Sequence, residues 1–182
     1  MRSPNVANYI ENSMLAHPNK LALIFDEQGQ WTFKELDEMI NQVANGLIDL
    51  GVKKGDRVSL FLPNSPESLF FFFGIMKMGG VVNPLNMMLK EKELDYIVGD
   101  CEPTIIVTAK EVLDAPIKVF SKPDNKVKNM IVWHIPNRHQ GFSAKYKFFS
   151  KHDIAMVGSS YEQEVLNSDP EEELLQNNYT TA

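Results

Sequence analysis

The sequence predicts an α/β domain: a doubly wound, mostly parallel sheet with helices on both faces. Three observations predict it. Short runs of β-branched and apolar residues alternate with longer stretches whose apolar positions recur every three or four residues. Strands separated by single helices form short βα units, and such units pair in parallel. The Leu69 to Phe73 stretch is apolar nearly all round, so a helix there needs cover on several sides.

Val6, Ile10 and Met14 recur at helical spacing, with Tyr9 and Leu15 beside them, until Pro18 ends the element. Leu21 to Phe25 reads as a strand, Asp26-Glu27-Gln28-Gly29 as a turn and Gln30-Trp31 as a return strand, which makes a hairpin. Thr32 then starts a long helix. Its hydroxyl can accept the Glu35 N–H while the Glu35 carboxylate accepts the Thr32 N–H, a capping box. Phe33, Leu36, Ile40, Val43, Leu47 and Leu50 form its apolar stripe, widened by Met39 and Ala44, and Gly51 stops it.

Lys53-Lys54-Gly55-Asp56 turns into a strand over Arg57 to Leu62, where Val58, Leu60 and Leu62 alternate with Ser59 and Phe61. Asn64 or Ser65 caps the next helix, and Pro66 suits its first turn because the missing N–H is no loss there. Val81-Val82 is a short strand that leads into a loop at Asn83-Pro84. Glu91 to Gly99 is a helix with Leu94, Ile97 and Val98 inward. Thr104 to Thr108 is a strand, followed by a weak helix from Lys110 that Pro116 is expected to interrupt. Met130 to Trp133 is one more strand. Beyond His134 the pattern fades: Lys145 to Phe149 and Ile154 to Val157 read as strands, Tyr161 to Leu166 as a helix, and Ser168 to Ala182 as an acidic linker or frayed end.

Apolar residues make up 43% and charged residues 23% of the 182, which is ordinary globular composition and fits one domain. A formal charge of −6 leaves no basic footprint, so no nucleic acid or anionic membrane partner is expected. Cys101 is the only cysteine, which excludes an internal disulfide and fits a reducing compartment. The longest apolar run, Leu69 to Met76, falls far below the ~20 residues of a membrane span. The N-terminus lacks a continuous apolar signal core, so a cytoplasmic protein is expected.

Ligands in open α/β sheets sit beyond the carboxyl ends of the strands. That directs attention to Pro63-Asn64-Ser65, Asn83-Pro84-Leu85-Asn86 and Thr108-Ala109-Lys110. None carries the glycine spacing that cradles phosphates, and Gly79-Gly80 reads as a helix stop. His17, His134, His139 and His152 have no metal-ligand spacing with each other or with Cys101. Asp100 and Glu102 flank Cys101 and disfavour a thiolate nucleophile. The Glu91/Asp95 and Glu93/Asp100 pairs belong to a solvated helix face. The Phe70 to Phe73 run reads as core rather than as an acyl pocket, and Met87-Met88-Leu89 as gap-filling side chains more than a partner surface. No catalytic, cofactor-binding or metal-ligating residue is assigned.

Trp31-Thr32-Phe33-Lys34-Glu35-Leu36 and the stretch Ile75-Met76-Lys77-Met78-Gly79-Gly80-Val81-Val82-Asn83-Pro84-Leu85-Asn86 resemble, at this separation, the two N-terminal core motifs of the adenylate-forming superfamily. That superfamily unites acyl-CoA synthetases, peptide-synthetase adenylation domains and luciferases. His17-Pro18-Asn19-Lys20, Gly51 to Val58, Pro63 to Glu67 and Leu94 to Thr108 follow in family order, so the resemblance covers roughly residues 5 to 135. Val82-Asn83-Pro84-Leu85-Asn86 looks more like the acyl-CoA synthetases than the peptide synthetases.

The resemblance implies the family's N-terminal α/β subdomain over 1–135; the residues beyond read as a continuation of the same domain over 136–167 and an acidic polar linker or frayed tail over 168–182. It implies a complete enzyme of fatty acid or other carboxylic acid metabolism that uses ATP, Mg²⁺ and coenzyme A to make an acyl-adenylate and then an acyl thioester. The family's phosphate loop, ribose-binding aspartate and C-terminal catalytic lysine lie downstream of anything here. Tyr179-Thr180-Thr181 resembles the start of that loop, but Gln176-Asn177-Asn178 stands where the family has an apolar strand, so the match is set aside. The expectation is an N-terminal fragment without autonomous catalysis or cofactor, whose partner is the remainder of the synthetase and which self-associates when isolated. The alternatives are a stand-alone interaction module built on this fold, part of a peptide-synthetase adenylation domain, or a flavodoxin-like ligand-binding domain.

Overall fold

The computed structural model describes residues 5–25, 29–122, 124–127, 129–133 and 146–150. Helix α1 (Ala7–Ala16) leads into the antiparallel hairpin of β1 (Leu21–Phe25) and β2 (Gly29–Thr32). The pairing shifts register between Leu21 and Leu23. Ala22 is therefore an extra residue, and the shift turns Leu21 and Ile24 outward while Leu23 and Phe25 face inward.

Helix α2 (Phe33–Asp49) begins with the expected box: the Thr32 N–H donates to Glu35 Oε2 at 2.8 Å, and the Glu35 N–H donates to Thr32 Oγ1 at 3.3 Å. Leu36, Met39, Ile40, Ala44 and Leu47 are buried along the predicted stripe. Gly51 ends the turn at φ +84°, a left-handed conformation that glycine adopts without a Cβ penalty.

The main sheet follows. Strand β3 (Arg57–Phe61), helix α3 (Pro66–Lys77), strand β4 (Val81–Pro84), helix α4 (Glu91–Cys101) and strand β5 (Ile105–Ala109) alternate as expected. A 3₁₀ turn (Lys110–Val112), helix α5 (Asp114–Phe120), strand β6 (Asn129–Trp133) and strand β7 (Tyr146–Ser150) complete the described chain. The strand order is β4-β3-β5-β6-β7, with the first four parallel and β7 antiparallel to β6. This is a doubly wound, mostly parallel sheet.

The alternation along β3 divides the core. Val58, Leu60 and Leu62 face α2 and α3, where Leu47, Phe71, Ile75, Ile105, Val107 and Ile131 join them. Phe61 faces the other way, with Ile106, Met130 and Val132, under Leu94 and Val98 of α4 and Ile117 and Phe120 of α5. Helix α3 is covered on two sides, as its composition requires. Phe71 points into the sheet cluster, and Phe70 points into a third cluster with Leu36, Met39 and Ile40, its ring edge-on to Trp31 at 5.8 Å.

Three details differ from expectation. Pro116 does not interrupt a helix; it sits inside α5, in the first turn, where no intrahelical N–H partner is lost. Strand β4 runs through Asn83-Pro84, because an edge strand tolerates a proline that donates no ladder bond. Helix α4 continues two residues past Gly99 and ends at Glu102, at φ +42°. The strand expected over 145–149 is β7. The strand expected over 154–157, the helix over 161–166 and the linker over 168–182 lie outside the described residues. No helix among the described residues is long and apolar enough to cross a membrane.

Candidate functional site at the sheet switch point

The strands β3 and β5 are parallel, but the crossovers that leave them progress in opposite directions along the sheet. The connection from β3 runs through α3 to β4 on one side, and that from β5 through α5 to β6 on the other. The crevice between their carboxyl ends is the topological switch point, where such folds hold ligands. A groove of about 460 Å³ lies there. Its apolar lining comes from Phe61 at the end of β3, Met87, Met88 and Leu89 after β4, and Val112 and Ala115 after β5. Lys90, Glu91, Asp114 and Lys118 supply two charges of each sign.

None of the residues in the three loops singled out in the sequence lines this groove; its lining begins just beyond two of them, at Met87 and at Val112. Met88, 84% exposed, is the lip of the groove rather than a gap-filler, which corrects the expectation for it. Sequence reasoning missed the hydroxyl of Thr108. It pairs in register with Phe61, on the same sheet face, and is fully buried. Its Oγ1 has no hydrogen-bond partner among the described residues.

The helix N-termini at this edge bear directly on nucleotide binding. A free N-terminus attracts phosphate through its unpaired N–H groups and positive dipole end. Here each is already matched with a carboxylate in its own first turn: Glu67 in α3, Glu91 and Glu93 in α4, Asp114 in α5. At α3 the Ser65 and Ser68 side chains each accept the other's backbone N–H at 3.3 Å. At α4 the Lys90 N–H donates to Glu93 Oε2 at 3.0 Å. A triphosphate would meet like charge at each of these ends, and at α3 an N–H already given to a side chain. Among the described residues no group of three His, Cys, Asp or Glu is placed to hold a metal ion.

The remaining sequence candidates have structural partners. Asn83 Nδ2 donates to Ser59 Oγ and to Cys101 Sγ, each at 3.1 Å. The Arg57 guanidinium donates to the Cys101 and Glu102 carbonyls and ties the end of α4 to β3. Glu91 and Asp95 stay at the surface and flank Lys122, at 3.3 and 2.8 Å. The Asp95 carboxylate, with help from Glu91, holds the Lys122 ammonium above its ordinary pKa and outweighs the opposing effect of burial. His17 is exposed; His134, His139 and His152 lie outside the described residues.

The AMP-binding enzyme family model matches residues 10–180. That match runs well past residue 135, the limit of the resemblance legible by eye, and takes in Tyr179 and Thr180, which lie outside the described residues. The crotonobetaine/carnitine–CoA ligase of Proteus mirabilis is 40% identical over 97 residues, 51% of this chain and 19% of that protein. The chain thus spans about a fifth of the length of the curated relatives it matches. The anthranilate CoA ligase AuaEII, solved in complex with anthranoyl-AMP, superposes at a TM-score of 0.66 with 29% identity, over 71% of this chain and 25% of that one. The N-terminal domain of FACL13 from Mycobacterium tuberculosis matches at 0.66 over 96% of this chain and 39% of its own, at 22% identity, a likeness of fold alone.

Proposed function

The chain belongs to the AMP-binding enzyme family, and from that premise we propose that it forms the N-terminal framework of an acyl-CoA synthetase. The observation that carries the reading is the family match across residues 10–180, reinforced by the 40% identity to a CoA ligase. The complete enzyme joins a carboxylic acid to coenzyme A with ATP and Mg²⁺. These 182 residues contribute the doubly wound sheet and its helical cover, and the nucleotide is gripped by residues from the remainder of the enzyme, which is the partner of this chain.

The carboxylates in the first turns of α3, α4 and α5, and the capped N-terminus of α3, support that division of labour. A framework needs those ends satisfied internally so that they stay ordered; a phosphate site needs them free. On its own the chain does not form acyl-adenylate. Its exposed Met88, Ile24 and Tyr9 favour self-association when the remainder is absent.

Reading the coding sequence past Ala182 tests the proposal. A Ser/Thr/Gly-rich phosphate loop in frame within the next few dozen codons is the expected result. An immediate stop codon would contradict the framework role and leave a stand-alone interaction module.

A further inference from the structure

Helix α1 is held differently from the other α-helices among the described residues. Of its ten residues only Ala7 is buried, while Tyr9 and Leu15 are 74% exposed. Ten residues are too few for a stable isolated helix in water. Neither end of α1 carries a charge that complements the helix dipole. Its place therefore depends on what it touches.

Beyond the partly buried Ile10 at the α2–α3 cluster, two polar tethers fix it. Asn5 accepts the Ala7 N–H at 3.0 Å and donates from Nδ2 to the Met76 carbonyl at 2.6 Å. Glu11 pairs with Lys77 at 2.8 Å. Both partners on α3 have a second contact that does not involve α1. The Met76 carbonyl also accepts the Gly79 N–H at 3.0 Å. Lys77 also pairs with Asp37 of α2 at 2.8 Å, and Asp37 accepts in addition from Asn41 at 2.9 Å.

We infer that α1 is a releasable strap across the α2–α3 seam, which opens while the rest of the domain stays folded. Lifting α1 strands neither a carbonyl nor a buried charge, and stranding such groups is what makes most local openings costly. Regions with few buried contacts and exposed bonds open ahead of the global transition. What opening removes is the Ile10 side chain from the cluster of Leu36, Met39, Ile40 and Phe70 between α2 and α3.

Amide hydrogen exchange on the full 182-residue chain tests the strap. Amides of residues 7–16 should exchange at least about tenfold faster than those in the interior of α2, and independently of low denaturant. Glu11→Gln should speed the exchange of α1 by about two- to fivefold, the range of a partly exposed ion pair, and leave α2 unchanged. Added salt should act in the same direction. A single common rate for α1 and α2, an equal effect of Glu11→Gln on both, or no effect on α1 would each overturn the inference.

Discussion

Gly74 of α3 meets Val43 of α2 so closely that a Cβ on Gly74 would lie 2.6 Å from Val43 Cγ1. Real Cβ atoms do not approach that near, so this glycine sets how tightly the two helices pack. Gly74→Ala removes a poor helix former and would ordinarily add about 0.5–1 kcal/mol of stability. Overpacking a closed core costs about 1–3 kcal/mol. The second effect wins here, because Ile40 O, 3.2 Å away, blocks the other direction. A denaturant melt of Gly74→Ala should show a net loss, and Val43→Ala in the same chain should recover part of it.

Leu47 lies on the same helix, 1% exposed, against the sheet cluster. Leu47→Ala should cost about 2–5 kcal/mol by equilibrium unfolding. A loss below about 1 kcal/mol, the range of surface substitutions, would place the stripe in solvent.

The capping box gives an acid-side prediction. The Thr32 backbone N–H first, and its hydroxyl second, hold the Glu35 carboxyl below its ordinary pKa. A depressed folded value contributes stability that is present above the unfolded value, about 4.3, and lost as pH falls through the folded one. Glu35→Gln should flatten that part of the acid-side decline. Thr32→Ala should lower stability by about 1 kcal/mol at neutral pH.

Lys77 gives an alkaline counterpart. Burial acts to lower its pKa, but the carboxylates of Asp37 and Glu11 outweigh it and hold the ammonium above the ordinary lysine value. The stabilisation is complete below the unfolded pKa, about 10.4, and disappears as pH rises through the folded value. Stability measured from pH 8 to 12 should therefore fall at the top of the range. Lys77→Met should be weaker at pH 8 and show a shallower alkaline fall.

The parts of this fold legible in the sequence are those written in local signals. Thr32 and Glu35 three residues apart, with a stripe behind them, suffice for α2. Alternation in Val58, Leu60 and Leu62 suffices for one face of β3. The Pro116 expectation failed because a proline signals a stop everywhere except in the first turn, and Leu113 before α5 gives no capping clue to where that turn begins. The Lys77–Asp37 pair joins residues 40 apart in sequence, so no window reveals it. The same holds for the switch-point groove, whose lining converges from β3, the β4–α4 loop and the start of α5. A β-branched run predicts β5 but not that Thr108 Oγ1 lacks a partner among the described residues.

In the proposed function this polypeptide supports a ligase without gripping the nucleotide. Acid-dependent ATP–pyrophosphate exchange, measured on the purified 182-residue chain with Mg²⁺ and a range of short- to long-chain carboxylic acids, tests it most directly. The predicted result is no exchange above the acid-free background. Robust exchange that depends on an added acid would contradict it.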